Sequence, residues 1–396
     1  MARRNLAARC RLSGQSPSPS AARRVVTSVI AVQDIVFDDV TKSWPGSPPA
    51  LDHLDLTIKA GELVGLVGPS GCGKTTALRI VGGFEEPTTG RVLLGTRDIT
   101  RLESRDRHFG LITQDNQLLG HLSAARNVSF PLEARRATYT VGDIDRRLER
   151  EASRLGLADL LDRRPSQLSE GQRRLVQLAR AVIGAPVALL MDEPLAHLED
   201  QVRLRVRGDI VRVHHDRGLT SLLVTASQHD AMAMCDRIAV LFDGGLEQFG
   251  APGDVYARPA TVAVARFFGE PPMNVVNGRV EVAGTTRRIR ALGRSLPVST
   301  PEVDVYNGRD VLIGVRPEDL VVGAPTTVSV EATVQTTESI GYQTMVDAVT
   351  PDGTLLHCVT PGRAPRIGTV LDVALPSDRL HIFDPTTQMA IFHPPG

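Results

Sequence analysis

A chain of 396 residues is long enough for two or three domains, each with its own core. Apolar residues make up 42% and charged residues 23%, and the formal net charge is zero, which argues against bulk nucleic-acid binding driven by phosphate neutralisation. No apolar run reaches the ~20 residues that cross a bilayer; the longest, at 181–191, is broken by Gly184 and Pro186, so any membrane role passes through a partner.

In chain order, residues 1–25 hold six arginines and no acid. An organelle transit peptide has that composition, but a basic, disordered tail over 1–32 suits the remainder better. Only three of the 45 basic side chains are lysines (Lys42, Lys59 and Lys74), which fits GC-rich codon usage more than chemistry. Cys10, Cys72, Cys235 and Cys358 lie too far apart for a metal-ligand spacing and favour a reducing compartment.

Short alternating runs at 34–40, 51–58, 62–67 and 91–94 end in Gly or Pro turns and predict strands. Residues 123–184 switch to helical periodicity. An apolar strand at 187–191, an amphipathic stretch at 199–217 and strands at 221–225 and 237–242 follow. Alternating strand and helix predicts a doubly wound α/β domain over 33–268 with a helical subdomain inserted. From 269 to 396 short strands alternate with turn signals at Asn277-Gly278, Asn307-Gly308 and Asp352-Gly353, predicting an all-β, barrel-like domain.

Gly68-Pro69-Ser70-Gly71-Cys72-Gly73-Lys74-Thr75-Thr76 fits G-x-x-x-x-G-K-[ST] between an apolar strand and a helical run. Such a loop points backbone N–H groups at a phosphate, and the helix N-terminus adds positive potential. Lys74 would reach the β- and γ-phosphates of ATP, and the Thr75 hydroxyl would hold Mg²⁺. The strand at 187–191 ends in Asp192 and Glu193, at the edge where open α/β sheets place ligands. Asp192 is expected at the Mg²⁺, and Glu193 as the base that takes a proton from water.

Leu168-Ser169-Glu170-Gly171-Gln172 resembles the LSGGQ signature of ABC ATPases, and it stands between the phosphate loop and Asp192-Glu193 as that family requires. Read physically, Ser169 and Gln172 form a capping box that opens a helix over 173–183. The resemblance implies that Ser169, Gly171 and Gln172 face an ATP bound on the opposite subunit, in a homodimer or an ABC heterodimer. It also implies that Gln114 senses Mg²⁺ and the permease, and that Trp44 stacks on adenine. The segments at 250–256, 267–274 (FFGEPPMN), 312–320 and 380–387 resemble importers of the maltose, sugar and glycerol-phosphate group, whose C-terminal OB/TOBE-like domain dimerises and receives regulation. Two membrane permeases and an extracytoplasmic solute-binding protein would complete the system, at the cytoplasmic face of the inner membrane. Polyamine, iron or oxyanion importers share much of this architecture. One ATPase unit, without a long coiled-coil insertion or a basic surface run, argues against a soluble ABC protein acting on DNA or ribosomes.

Several positions depart from the family. Where V-T-H-D-Q carries a switch histidine, this chain has Val224-Thr225-Ala226-Ser227-Gln228, with His229 three residues late. Ala196-His197-Leu198-Glu199 replaces S-A-L-D, Glu170 replaces a glycine, Asn116-Gln117-Leu118-Leu119 replaces an aromatic-rich stretch, and Arg126-Asn127 replaces Glu-Asn. Losing one preorganised donor to transition-state charge costs ~3 kcal/mol, a factor of ~100–1,000 in rate. Nucleotide binding with slowed hydrolysis is therefore expected; an ATP-binding subunit with little hydrolysis of its own is the alternative.

Overall fold

The computed structural model describes residues 32–114, 118–134, 139–323 and 328–395. The basic tail expected at 1–32 therefore falls outside it, except for its last residue.

A four-stranded antiparallel sheet comes first, ordered Leu51–Ile58, Ile35–Lys42, Thr89–Leu94, Arg97–Asp98. The second sheet runs Gly245–Gly250, Arg237–Phe242, Leu63–Val67, Thr220–Val224, Ala188–Asp192, Gly110–Ile112, and every pairing but the first is parallel. Strands Leu63–Val67, Thr220–Val224 and Ala188–Asp192 are buried along their whole length, which is why they read as largely apolar runs. Strand alternation sorts their side chains onto two cores. Leu63, Val67, Leu189, Met191 and Leu223 join one apolar cluster, and Val64, Leu66, Leu190, Leu222 and Val224 join the other.

Helices Ala124–Glu133, Val141–Leu155 and Glu170–Val182 lie between strands Gly110–Ile112 and Ala188–Asp192, where the helical insertion was expected. The third starts three residues earlier than predicted, because Ser169 is itself the cap: its Oγ accepts from Gln172 N (3.3 Å) while Gln172 Oε1 accepts from Ser169 N (2.9 Å).

Two antiparallel sheets follow. One is ordered Arg294–Val298, Thr286–Ala291, Asn274–Ala283, Asp310–Val315, His381–Phe383, Ala390–Phe392; the other Val321–Val322, Val370–Ala374, Ser329–Ser339, Gln343–Val349, Leu355–Pro361. They enclose a single apolar core with Val280, Ile289, Ile313, Val346 and Val373 at its centre, giving the barrel-like all-β domain. One expectation is corrected. Asn277-Gly278 is no turn but lies inside strand Asn274–Ala283, paired with Leu312 and Val311. Gly278 is there for space, since a Cβ would stand 2.7 Å from Ile289 Cγ2 and 2.8 Å from Ile313 Cδ1.

Arg316 joins the β domain to what precedes it. Buried, it donates through Nη1 to Ala265 O (3.1 Å) and Phe268 O and through Nη2 to Tyr256 O (2.6 Å), and its guanidinium lies 3.9 Å from the Tyr256 ring centroid. These carbonyls close the ends of helices Pro252–Ala257 and Val262–Phe267. Burial pulls the Arg316 pKa down from its ordinary value.

A phosphate-loop nucleotide site

Four parallel strands deliver their C-terminal ends to one edge of the sheet. Leu63–Val67 leads into Gly68, Ala188–Asp192 into Glu193, Thr220–Val224 into Thr225, and Gly110–Ile112 towards Gln114.

The loop 68–73 turns sharply into helix Lys74–Val81. Gly73 is at φ 102°, and a Cβ there would meet Ala50 O at 2.1 Å, so only glycine lets the loop pass under strand Leu51–Ile58. Lys74 is buried and folds back over the loop, its Nζ donating to Gly68 O (2.9 Å) and Pro69 O (2.8 Å) and lying 3.8 Å from Cys72 Sγ. Burial pushes the Cys72 thiol up, against the opposing pull of Lys74. Pro69, Ser70, Gly71 and Thr75 are exposed at the mouth, with Thr76 half-buried behind them.

The Thr75 hydroxyl donates to Asp192 Oδ1 at 3.4 Å, across 117 residues of sequence. Glu193 sits next to it with φ 47°, a left-handed conformation that an L-residue adopts only when its surroundings over-determine it. Those surroundings are visible. Glu193 N donates to Val224 O (2.9 Å), Oε1 accepts from Ala226 N (2.8 Å), and Oε2 accepts from the Thr225 hydroxyl (3.3 Å). At position 226, where the sequence lacks the histidine, the contact to the acid is a main-chain N–H.

Gln114 is exposed, and further along Asn127 organises the stretch 119–123. Asn127 is fully buried; its Oδ1 accepts from Leu119 N (2.7 Å), and its Nδ2 donates to Leu119 O (3.1 Å), Leu122 O (3.3 Å) and Ser123 O (3.0 Å). The departures at Asn116 and Gln117 lie outside the described residues. Trp44 stands in the loop after strand Ile35–Lys42, 42% exposed, with Lys42 Nζ 5.2 Å from its ring centroid; a core tryptophan would not be so open. Gly171 packs against Val202. Glu170 is tied to Arg173 at 3.1 Å, an exposed pair on the first turn of its helix.

His229 belongs to helix Gln228–Met234, and its Nε2 lies 2.8 Å from Glu270 Oε2. Beside it, Gln228 clasps Gly269 from both sides: Oε1 accepts from Gly269 N (2.7 Å) and Nε2 donates to Gly269 O (3.4 Å). Sequence reasoning placed His229 one helical turn too late for a phosphate contact. It missed that the helix is fastened to the junction with the β domain.

A glycine-rich loop, a buried lysine, a hydroxyl–carboxylate pair and an oriented acid at the edge of a parallel sheet define a phosphate-loop nucleotide hydrolase. Family comparisons make the assignment more particular. Residues 51–196 match the ABC transporter family, 269–320 the MalK OB fold domain and 313–383 the TOBE domain. The chain is 38% identical over 352 residues to the sn-glycerol-3-phosphate import ATP-binding protein UgpC of Burkholderia cenocepacia, covering 87% of this chain and 96% of that protein. It is 39% identical to UgpC of Cereibacter sphaeroides (89% and 98% covered) and 37% identical to the trehalose/maltose import ATP-binding protein MalK of Thermococcus litoralis (89% and 98% covered). The chain belongs to the ABC transporter ATP-binding proteins, and it is an ATPase of that family.

Proposed function

We propose that this protein energises the uptake of a sugar or a sugar phosphate such as glycerol phosphate, as the ATP-hydrolysing subunit of an importer. Support for the solute class comes from relatives named for glycerol-3-phosphate and trehalose/maltose import, each aligned over nearly its whole length. No described helix is long and apolar enough to cross a membrane, which fits a subunit attached to the cytoplasmic face of the inner membrane through two permeases. A solute-binding protein outside that membrane would deliver the cargo. On this reading 33–268 is the ATPase domain, and 269–396 is the dimerising and regulatory domain.

Lys74 and the loop amides of Gly68–Thr76 hold the ATP phosphates, and Trp44 stacks on the adenine. Ser169, Gly171 and Gln172 of a second copy, or of a homologous ABC partner, close over the same ATP. Glu193 accepts the proton of the attacking water as its oxygen bonds to the γ-phosphorus and the bond to ADP breaks. Mg²⁺ fits the oxygen donors gathered here, since Thr75 Oγ1 and Asp192 Oδ1 are within 3.4 Å of each other, with Gln114 as a third ligand. When bound, the ion neutralises phosphate charge.

The observation that carries the reading is the Thr75–Asp192 contact, which brings both halves of the phosphate site together. Its test is direct nucleotide binding to Lys74→Ala. Removing a charged donor to phosphate costs ~1.5–3 kcal/mol per hydrogen bond, so affinity for Mg-ATP falls about tenfold or more. Unchanged affinity would overturn the assignment.

A further inference from the structure

We infer that Thr225 is a positioning residue for ATP hydrolysis: its hydroxyl aims the Glu193 carboxylate, in a site whose residue 226 has no polar side chain. The inference rests on Glu193 being the base.

Thr225 lies at the end of the fully buried strand Thr220–Val224, and its own amide is fixed to the central strand through Leu66 O (3.2 Å). Only 3% of it is exposed. Its hydroxyl accepts from Ser227 N at 3.0 Å. A hydroxyl has a single proton, and accepting from Ser227 leaves that proton free for Glu193 Oε2, 3.3 Å away. A carboxylate has no proton to give, so Thr225 donates and the carboxylate accepts. Ser227 is held in turn, its Oγ accepting from Asp230 N (3.2 Å) as the cap of helix Gln228–Met234.

The other carboxylate oxygen is held by Ala226 N. Two donors from consecutive residues thus set the plane of the carboxyl group, and each oxygen keeps lone pairs for a water. The Ala226 contact is main chain and survives any side chain placed there. The Thr225 contact depends on one oxygen atom, and it is the only side-chain hydrogen bond to this carboxylate among the described residues. A base displaced by even 1 Å can lose about a hundredfold in rate.

The test compares Thr225→Val, Thr225→Ser and Glu193→Gln in the full-length chain, alone and in combination. Single-turnover hydrolysis of labelled ATP with protein in excess reads rates too slow for steady-state assays. Thr225→Val should lower the hydrolysis rate about tenfold or more while Mg-ATP affinity stays within about twofold, and Thr225→Ser should restore the rate. In a Glu193→Gln background Thr225→Val should add nothing further, because the group it aims has gone. Wild-type turnover in Thr225→Val would overturn the inference. So would a loss that Ser does not rescue, or a further loss on top of Glu193→Gln, either of which would mark a general packing role. Full turnover in Glu193→Gln, or none in the wild-type chain, would instead remove the base assignment beneath it.

Discussion

The phosphate loop and the segment 225–230 face the same edge of the same sheet, yet they are held in different ways. The loop is fixed by backbone close to it in space, with Ala50 O pressed against Gly73 and its lysine folded onto its own carbonyls. The segment 225–230 is fixed by side chains reaching outwards: Thr225 to Glu193, Gln228 to Gly269 and His229 to Glu270. Gly269 in turn lies against Arg316, the arginine that the β domain sends into the ATPase part, with Nη1 3.0 Å from where a Cβ would stand. A binding element can be local because its ligand brings the charge. An element that holds another side chain in place is coupled to whatever holds its far end, and here the far end is the domain junction.

If that contrast is right, the largest effect available is a gain. Ala226→His would add a neutral imidazole donor next to Glu193 without disturbing the main-chain bond already made at 226. Hydrolysis should rise about tenfold, up to the ~100–1,000-fold scale of one donor to developing charge, with Mg-ATP affinity little changed. The same single-turnover assay, with protein in excess, reads the gain. No gain, in a wild type already turning over quickly, would show that the segment is complete as it stands.

A smaller effect separates the two regions directly. Arg316→Met keeps the apolar stem but leaves Ala265 O, Phe268 O and Tyr256 O without their donor. At ~1 kcal/mol for each bond, denaturant titration should show a loss of ~3 kcal/mol in stability. In the folded fraction, turnover should fall while nucleotide affinity holds, since the loop has no part in that junction. Equal losses in both would mean that the junction supports the phosphate loop as well.

What could be read from the sequence follows the same division. The phosphate loop is a contiguous pattern in a defined strand–helix context, so Lys74, Thr75 and the approach of Thr75 to Asp192 were legible before any fold was known. The capping box at Ser169 was legible for the same reason, because both partners lie within one turn. Thr225 was visible only as the neighbour of an anomaly. Its role depends on the left-handed turn at Glu193, 32 residues away, which no local pattern encodes. Arg316 gave still less signal: an arginine after an apolar strand reads as a strand end, and its acceptors are main-chain carbonyls 48 to 60 residues earlier. Asn277-Gly278 misled for the opposite reason. A turn dipeptide had been placed where two isoleucines cross a strand and leave no room for a Cβ.

The smallest effect expected is also the one that tests what has replaced the histidine. His229 is the nearest imidazole in sequence to position 226 and so the first candidate to take over a phosphate contact. Its Nε2 is instead engaged by Glu270, in a pair in which both side chains are 68% exposed. An exposed pair of this kind contributes at most about 1 kcal/mol, less at high salt. His229→Ala should therefore leave stability nearly unchanged and ATP turnover within about twofold of wild type, with Glu270→Gln behaving the same way. A fall of tenfold or more in His229→Ala alone would mean that the ring leaves Glu270 when two chains close on ATP. The segment 225–230 would then carry its own side-chain donor after all, one helical turn late. Ala226→His should in that case give little gain, so the two variants measured together decide whether the donor is missing or has only moved.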